Sequence, residues 1–349
     1  MNKPTNKNIR VRSAQQPELF SLDKQGNPHT RHVWRYADDA RKKQQEALRA
    51  MRSIPMPMPL ATGSVPGKTL YDNVAPHRSS VKFYTTDFIN AFGSVQQDAM
   101  EQKAEETMRK YATGRKHMAA RATIGAYLEE GAFLPGVEGL PQGNATSQDL
   151  FNWYMRDADN ALSHALWLRK PRYGEVATRY LDDLTVSSES PVGLSASLRD
   201  SIRTIYQNHA PGMQVSHPKS KIRYLNDEHS AITITGLSIY RDGRITPSPK
   251  LLEDANGVFE DISRRLAVGE EVGEEDYWLA AGYNGVLQLP GESKHSGSRR
   301  VREMGVTARI LMDRLGRKDL PKVSPSSMDD ATHRPANTAI VHVYDNHIN

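Results

Sequence analysis

The sequence contains no cysteine. That excludes a disulfide framework, a thiolate zinc site and a cysteine nucleophile, and it fits a reducing compartment. Long apolar runs are lacking too, since none approaches the roughly 20 residues that a membrane-spanning helix needs. The opening residues, Met1 to Arg12, are basic but carry no apolar core of a secretory signal. A cytoplasmic protein without a membrane partner is expected. No strong charge of one sign is present: 46 basic against 41 acidic side chains leave a net charge of +5 over 349 residues. That balance suits either a polyanionic partner or an ordinary, slightly basic surface. The length allows a large core, as one elongated fold or as two to three subdomains.

The most informative stretch is Arg179-Tyr180-Leu181-Asp182-Asp183-Leu184-Thr185-Val186-Ser187. β-Branched and aromatic residues flank two adjacent acids, which predicts strand, tight turn, strand. Asp is poor inside a strand and good in a turn, so the hairpin lifts both acids to its tip. Two neighbouring carboxylates repel each other unless a cation neutralises them, and oxygen ligands suit Mg²⁺ or Mn²⁺. One further acid would complete a two-metal site for phosphoryl transfer. An ordinary Asp-Asp turn is the plain alternative.

That further acid is Asp87, at the end of a strand expected over residues 81–87, with Phe83 and Thr85 on the same face. A helix cap is its other reading. Phe88 to Val95 is expected to turn into a helix, and Gln97 to Leu128 to be helical with interruptions near Gly114 and Gly125. Leu134 to Gln148 is a Gly- and Pro-rich loop, with Ser147 a candidate cap for the next helix. Such a loop either brings backbone N–H groups to a nucleotide or is a plain connection. Upstream, Ile54 to Leu60 alternates with proline and reads as an extended linker. The basic stretch around Lys68, His77, Arg78 and Lys82 either touches phosphates or is solvated. Tyr36-Ala37-Asp38-Asp39 imitates the acidic pair, but lies in the amphipathic pattern of residues 32–51 and reads as a solvated helical face. Downstream, residues 192–209 read as a helix and Met213 to Arg223 as a short basic strand or turn. Residues 232–245 read as a hairpin with an Asp242-Gly243 turn, and 249–315 as helices broken between Gly282 and Gly297. Arg264, Arg265, Arg299, Arg300 and Arg302 are clustered enough to grip a nucleic-acid backbone.

Taken in order, these stretches resemble the palm and thumb of reverse transcriptases, most closely the bacterial retron-type and defence-associated group. Asp87 with Phe88-Ile89-Asn90-Ala91-Phe92 is similar to the first catalytic motif, and Gly139-Leu140-Pro141-Gln142-Gly143-Asn144-Ala145-Thr146-Ser147 to the template and nucleotide loop. Tyr180-Leu181-Asp182-Asp183 resembles the signature hairpin, and Ser216-His217-Pro218-Lys219-Ser220 the motif with a lysine near the triphosphate. Ile234-Thr235-Gly236-Leu237 is similar to the retron-type primer grip, and Asp72-Asn73-Val74-Ala75-Pro76-His77 to a segment that retron enzymes carry before the first motif. Two departures stand out. The basic fingers segment expected before Asn73 is not recognisable, and Ser147-Gln148 replaces the usual Ser-Pro, as in diversity-generating retroelements.

The resemblance implies an α+β right-hand polymerase fold with reduced fingers, an RRM-like palm carrying an antiparallel sheet, and a helical thumb. It divides the chain into a flexible arm (1–30), an N-terminal helix with reduced fingers (31–80), a catalytic palm with inserted fingers helices (81–248), a thumb (249–320) and a linker with a tail (321–349). It implies an RNA-directed DNA polymerase with two Mg²⁺ ions, or Mn²⁺, on Asp87, Asp182 and Asp183. Phe92 would exclude a 2′-hydroxyl, and Gln142, Gly143, Ser147 and Tyr180 would line the nucleotide site. Lys219 would protonate the leaving pyrophosphate. The implied partners are a template RNA, most simply a dedicated noncoding RNA, a DNA or RNA primer, dNTPs, and an effector protein or a second copy of the chain. The rival readings are a diversity-generating, protein-primed or untemplated DNA polymerase, and an inactive RNA-binding protein on the same fold.

Overall fold

The computed structural model describes residue 34, residues 36–287, residue 313 and two short strands near the N-terminus. Those strands, β1 (Ser21–Leu22) and β2 (Pro28–His29), pair antiparallel within the segment expected to be a flexible arm. The remainder of that arm and the tail over 321–349 lie outside the described residues.

By its internal contacts the chain falls into two units, one of residues 1–66, 84–186 and 194–221, the other of residues 67–83, 187–193 and 222–349. The first holds helices α1 (Asp38–Arg52), α3 (Gln97–Tyr111), α4 (Met118–Glu130), α5 (Ser147–Tyr173) and α6 (Ala196–His209). The second holds the short α2 (Leu70–Val74), α7 (Pro249–Ala267) and α8 (Glu274–Leu287). Four strands, β3 (Lys82–Thr86), β4 (Val176–Tyr180), β5 (Asp183–Ser188) and β6 (Lys221–Tyr224), form a sheet of order β4-β5-β3-β6. A separate antiparallel sheet, order β7-β8-β9, is made of β7 (Ala231–Ile234), β8 (Leu237–Tyr240) and β9 (Ile245–Pro247). No helix among the described residues is long and apolar enough to cross a membrane.

Helix α5 is the axis of the first unit. Leu150, Phe151, Tyr154, Met155, Ala158 and Leu162 are fully buried along it. They pack with Met100 and Ala104 of α3 and Ile202 and Tyr206 of α6. Burial of each large side chain is worth about 1.5–3 kcal/mol, so this helix is held by tertiary packing. It stops where Pro171 removes a donor and Gly174 takes a left-handed φ of 59°. Its N-terminus makes no side-chain cap; the Ser147 hydroxyl, expected as that cap, donates to the Pro141 carbonyl at 2.7 Å.

Several expected boundaries move, each for a local reason. Residues 88–95 form turns and no helix, because Asn90 sits at φ 44° and its carbonyl closes a turn with Ser94 N–H (2.8 Å). Helix α4 runs through Gly125, whose α-carbon faces open space, so nothing there breaks it. The strand pattern over 232–240 is divided by a turn at Thr235-Gly236, both left-handed at φ 43° and 82°. Consecutive positive φ values make the tight turn that fits a twisted hairpin. Helix α8 continues through Gly282 to Leu287, and residues 268–273 separate it from α7; the rest of the break expected between Gly282 and Gly297 lies outside the described residues. The Asp38-Asp39 pair opens α1 with both side chains exposed, as a solvated helical face should be. Ile54 to Leu60 is irregular, with a tight turn from Met56 N–H to the Ile54 carbonyl (2.8 Å), and is more than a linker: Arg179 N–H donates to the Leu60 carbonyl (2.7 Å), and Ala61 bridges Arg179 in parallel.

Candidate active site

The acidic pair lies on a two-residue hairpin. β4 ends at Tyr180, Leu181 and Asp182 make the turn, and Asp183 is the first residue of β5. Leu181 has φ 53°, left-handed for an aliphatic side chain. That conformation costs about 1–2 kcal/mol and persists only where its surroundings hold it. The Leu181 carbonyl accepts a 2.7 Å hydrogen bond from Nη1 of Arg179, and Gly63 lies against Leu181 and Tyr180 with no room for a Cβ. Asp182 and Asp183 are half-buried, whereas Tyr180 is buried.

Asp87 follows β3 directly. Val81, just before β3, donates its N–H to the carbonyl of Ser188 at the end of β5 (2.9 Å), and β3 and β5 are neighbours in the sheet. The Asp87 backbone is pinned on its other side, where its carbonyl accepts from Ser216 N–H (2.8 Å) and Phe88 bridges Val215. The turn that follows closes through Ser220 N–H on the Ser216 carbonyl (3.1 Å) and delivers Lys219, whose Nζ donates to Asp87 Oδ2 at 2.6 Å. The other oxygen, Asp87 Oδ1, is buried without a hydrogen-bond partner. An unpartnered buried carboxylate oxygen is costly unless a cation meets it. Among the described residues no three acidic or imidazole side chains close into a ready-made metal cluster. A donor set made only of carboxylate oxygens would suit hard divalent ions.

Phe92 lies on the turn segment after Asp87, its ring stacked on Phe151 of α5 with centroids 4.8 Å apart. Its carbonyl accepts from Leu140 N–H (2.8 Å), which seats the glycine-rich loop on the turn. Gly139 permits this approach: at φ 69°, a Cβ there would fall 2.2 Å from the Phe92 carbonyl oxygen. Gln142 and Gly143 are exposed at the loop crest, and the Gln142 carbonyl accepts from Trp34 N–H (2.9 Å). Ser147 is buried at the loop base.

A family profile described as reverse transcriptase (RNA-dependent DNA polymerase) matches residues 21–239. The chain belongs to the reverse transcriptase family. No curated protein matches it in sequence. Among solved structures, apo telomerase from Candida tropicalis is similar over 99% of this chain and 63% of that one, at 12% identity and TM-score 0.50. Telomerase from Candida albicans, in complex with a fragment of telomeric RNA, is similar over 87% and 52%, at 12% identity and TM-score 0.45. The Candida tropicalis enzyme lacking its C-terminal domain is similar over 60% and 45%, at 14% identity and TM-score 0.44. The chain spans about half of the length of these proteins. The first of these likenesses is one of fold, the right-hand polymerase architecture.

The structure of this reverse transcriptase places other expected residues differently. Arg264 pairs with Asp261 (2.8 Å), and Arg265 forks onto Asp276 (2.8 and 3.1 Å), joining α7 to α8. The exposed Arg264 pair is worth little and leaves its guanidinium able to exchange partners, whereas the Arg265 fork is half-buried. Arg299, Arg300 and Arg302 lie outside the described residues. In the basic stretch before β3, His77 is fully buried, with Nδ1 2.6 Å from the Ser187 hydroxyl. Lys82 is buried too, its Nζ on the Gly193 and Pro191 carbonyls (2.7 and 3.2 Å). Neither is placed for a phosphate.

The sequence reading missed a buried cluster beneath the turn. Arg179, with no exposed surface, donates from Nε and Nη2 to Asp159 (3.0 and 2.7 Å) and from Nη1 to Asn152 Oδ1 (3.1 Å). Tyr206 hydroxyl donates to the same carboxylate (2.9 Å). Burial works against the Arg179 charge, but Asp159 outweighs it and holds the guanidinium pKa above its ordinary value. Burial and that same carboxylate push the Tyr206 phenol well above its ordinary range. The signal was present: an Arg inside an apolar strand needs an acid, and Asn152 and Asp159, seven apart, share one face of α5.

Proposed function

We propose that the chain extends a DNA or RNA primer along an RNA template by two-metal nucleotidyl transfer, as an RNA-directed DNA polymerase using Mg²⁺, with Mn²⁺ as a substitute. The observation that carries this reading is Asp87, with Oδ1 buried and unpartnered and Oδ2 on Lys219. Asp87, Asp182 and Asp183 would hold the ions. When bound, the ions acidify the primer hydroxyl and neutralise charge on the triphosphate. The chain's own side chains orient and select. Phe92, fixed by its stack on Phe151, walls the space beside the sugar 2′ carbon, so a ribonucleotide clashes there. Gln142 and Gly143 pack on the template base and the incoming nucleotide, while Ser147 and Tyr180 act from below by holding the loop and the hairpin. Lys219 protonates the leaving pyrophosphate. The arginines from Arg264 to Arg302 follow the RNA–DNA hybrid by its phosphates and shape.

The biological setting we propose is a bacterial, retron-type system with an antiphage role, in which a dedicated noncoding RNA serves as template and partner. Support comes from the second unit. The two segments that resemble retron enzymes, 72–77 and 234–237, are joined by a hydrogen bond from Asn73 Nδ2 to Thr235 Oγ1 (3.1 Å). Primer extension with purified protein, Mg²⁺ and dNTPs tests the chemistry. Asp182→Asn with Asp183→Asn should abolish product, and unchanged extension would sink the metal assignment. Sequencing the DNA made in cells separates templated synthesis from protein-primed or untemplated addition.

A further inference from the structure

The acids of the turn are aimed by a backbone that needs holding. Leu181, immediately before Asp182, is left-handed at φ 53°. Its carbonyl is gripped by Arg179 Nη1 (2.7 Å), a charge-assisted bond of the stronger kind. Arg179 is itself fixed on every side. Its backbone N–H donates to Leu60, and its carbonyl accepts from Thr62 N–H (2.8 Å) and Thr62 hydroxyl (3.2 Å). Its guanidinium forks onto Asp159 and reaches Asn152, whose Nδ2 donates to the Gly63 carbonyl (2.8 Å). Gly63 in turn lies directly against the turn. Asp182 adds to the charges that keep Arg179 protonated, so the two groups feel each other. The same guanidinium lies 5.6 Å over the ring of Phe151, on which Phe92 stacks. One planar, five-donor group therefore touches both the turn that carries the acids and the aromatic pair beside them.

We propose that Arg179 is the positioning residue of the active-site turn: it holds Leu181 in its left-handed conformation and so sets the direction of Asp182 and Asp183. The inference rests on the polymerase reading of those acids. A merely structural ion pair with Asp159 would need only a charge, whereas positioning needs the fork. Lysine supplies the charge to Asp159 without reaching Asp159, Asn152 and the Leu181 carbonyl together. The decisive variant is therefore Arg179→Lys, with Arg179→Gln/Asp159→Asn as a charge-neutral second.

Two readouts are taken on each folded variant: single-nucleotide extension, and Mn²⁺ binding followed by the electron spin resonance of free Mn²⁺ without any turnover. Loss of a group that orients metal ligands typically lowers affinity or activity by roughly 10- to 100-fold. The expected result is a fall of that size in both Mn²⁺ affinity and kcat, with the KM for dNTP changed much less. Wild-type Mn²⁺ affinity and kcat in Arg179→Lys would overturn the proposal. So would unfolding of both variants, which would make Arg179 a core ion pair and nothing more. If the wild type extends no primer, the polymerase reading fails, while the Mn²⁺ titration still decides whether Arg179 positions the acids.

Discussion

Gly63→Ala puts the seating of the active-site turn to a direct test. A Cβ at residue 63 would stand 2.9 Å from Leu181 N and 3.1 Å from both Leu181 Cγ and Tyr180 Cγ. Relaxed contacts of this kind sit near 3.5–4.0 Å, so something must yield by about half an ångström or more. Two movements are open. Segment 61–64 can retreat, at the expense of the bonds from Thr62 to Arg179, from Asn152 to the Gly63 carbonyl and from Ser64 to Asp149. Alternatively the turn can lift, carrying Asp182 with it. Either way, overpacking a well-filled site costs about 1–3 kcal/mol. At roughly 2–4 °C per kcal/mol, the midpoint in scanning calorimetry should fall by about 2–12 °C. A turn displaced by half an ångström should lose roughly tenfold in single-nucleotide extension, given that about 1 Å can cost a hundredfold. Gly125→Ala in α4 is the control: its Cβ meets nothing within 4 Å, so it should stabilise by about 0.4–1 kcal/mol and leave extension unchanged. Unchanged melting and unchanged extension in Gly63→Ala would refute the idea that this glycine seats the turn.

Two further outcomes are expected. Burial lowers the pKa of His77 from 6.5 to about 3. The unfolded chain therefore takes up a proton between those values and the folded one does not, so stability is complete above pH 6.5 and is lost as the pH falls towards 3. At pH 5 the loss from this group is about 2 kcal/mol, and urea titrations at pH 7 and pH 5 should show a shallower pH slope for His77→Asn than for wild type. Phe92→Ala should lower the preference for dNTP over rNTP by at least about tenfold in competition assays, if the ring stacked on Phe151 fills the space beside the sugar as proposed; unaltered sugar choice would remove that role.

The parts of the site legible in the sequence are those whose logic is local. The hairpin announces itself because β-branched neighbours force strands on either side of two acids that favour a turn. Asp87 is legible as a strand end for the same reason. What escaped depends on partners far along the chain. Arg179 looks like one more charge near a motif until Asp159 and Asn152 come up beneath it from α5. Gly63 looks like punctuation until Leu181 is against it. Residues 88–95 were misread as helix because helical letters do not reveal that Asn90 turns left-handed. The alternation through residues 232–240 concealed a turn, since Thr235 gives no sign of a positive φ that Asn73 helps to hold from outside. Ser147 was misread as a cap because a hydroxyl at a helix start has two choices, and the Pro141 carbonyl was nearer.

The pairing of segment 60–62 with Arg179 bears on how the protein is made. Thr62 and Arg179 are 117 residues apart. At a synthesis rate of about 5–20 residues per second, the earlier segment waits roughly 6–25 s for its partner to emerge from the ribosome. Throughout that interval Leu60 and Ala61 have yet to meet that strand, and an exposed edge of this kind recruits strands from other molecules. Pro55, Pro57 and Pro59 stand at every second position just before it. Each lacks an amide hydrogen, so one edge of that stretch has no donors to offer a stranger. The proline alternation thus keeps the segment from pairing prematurely, leaving the Thr62 amide to the strand that carries the acidic turn.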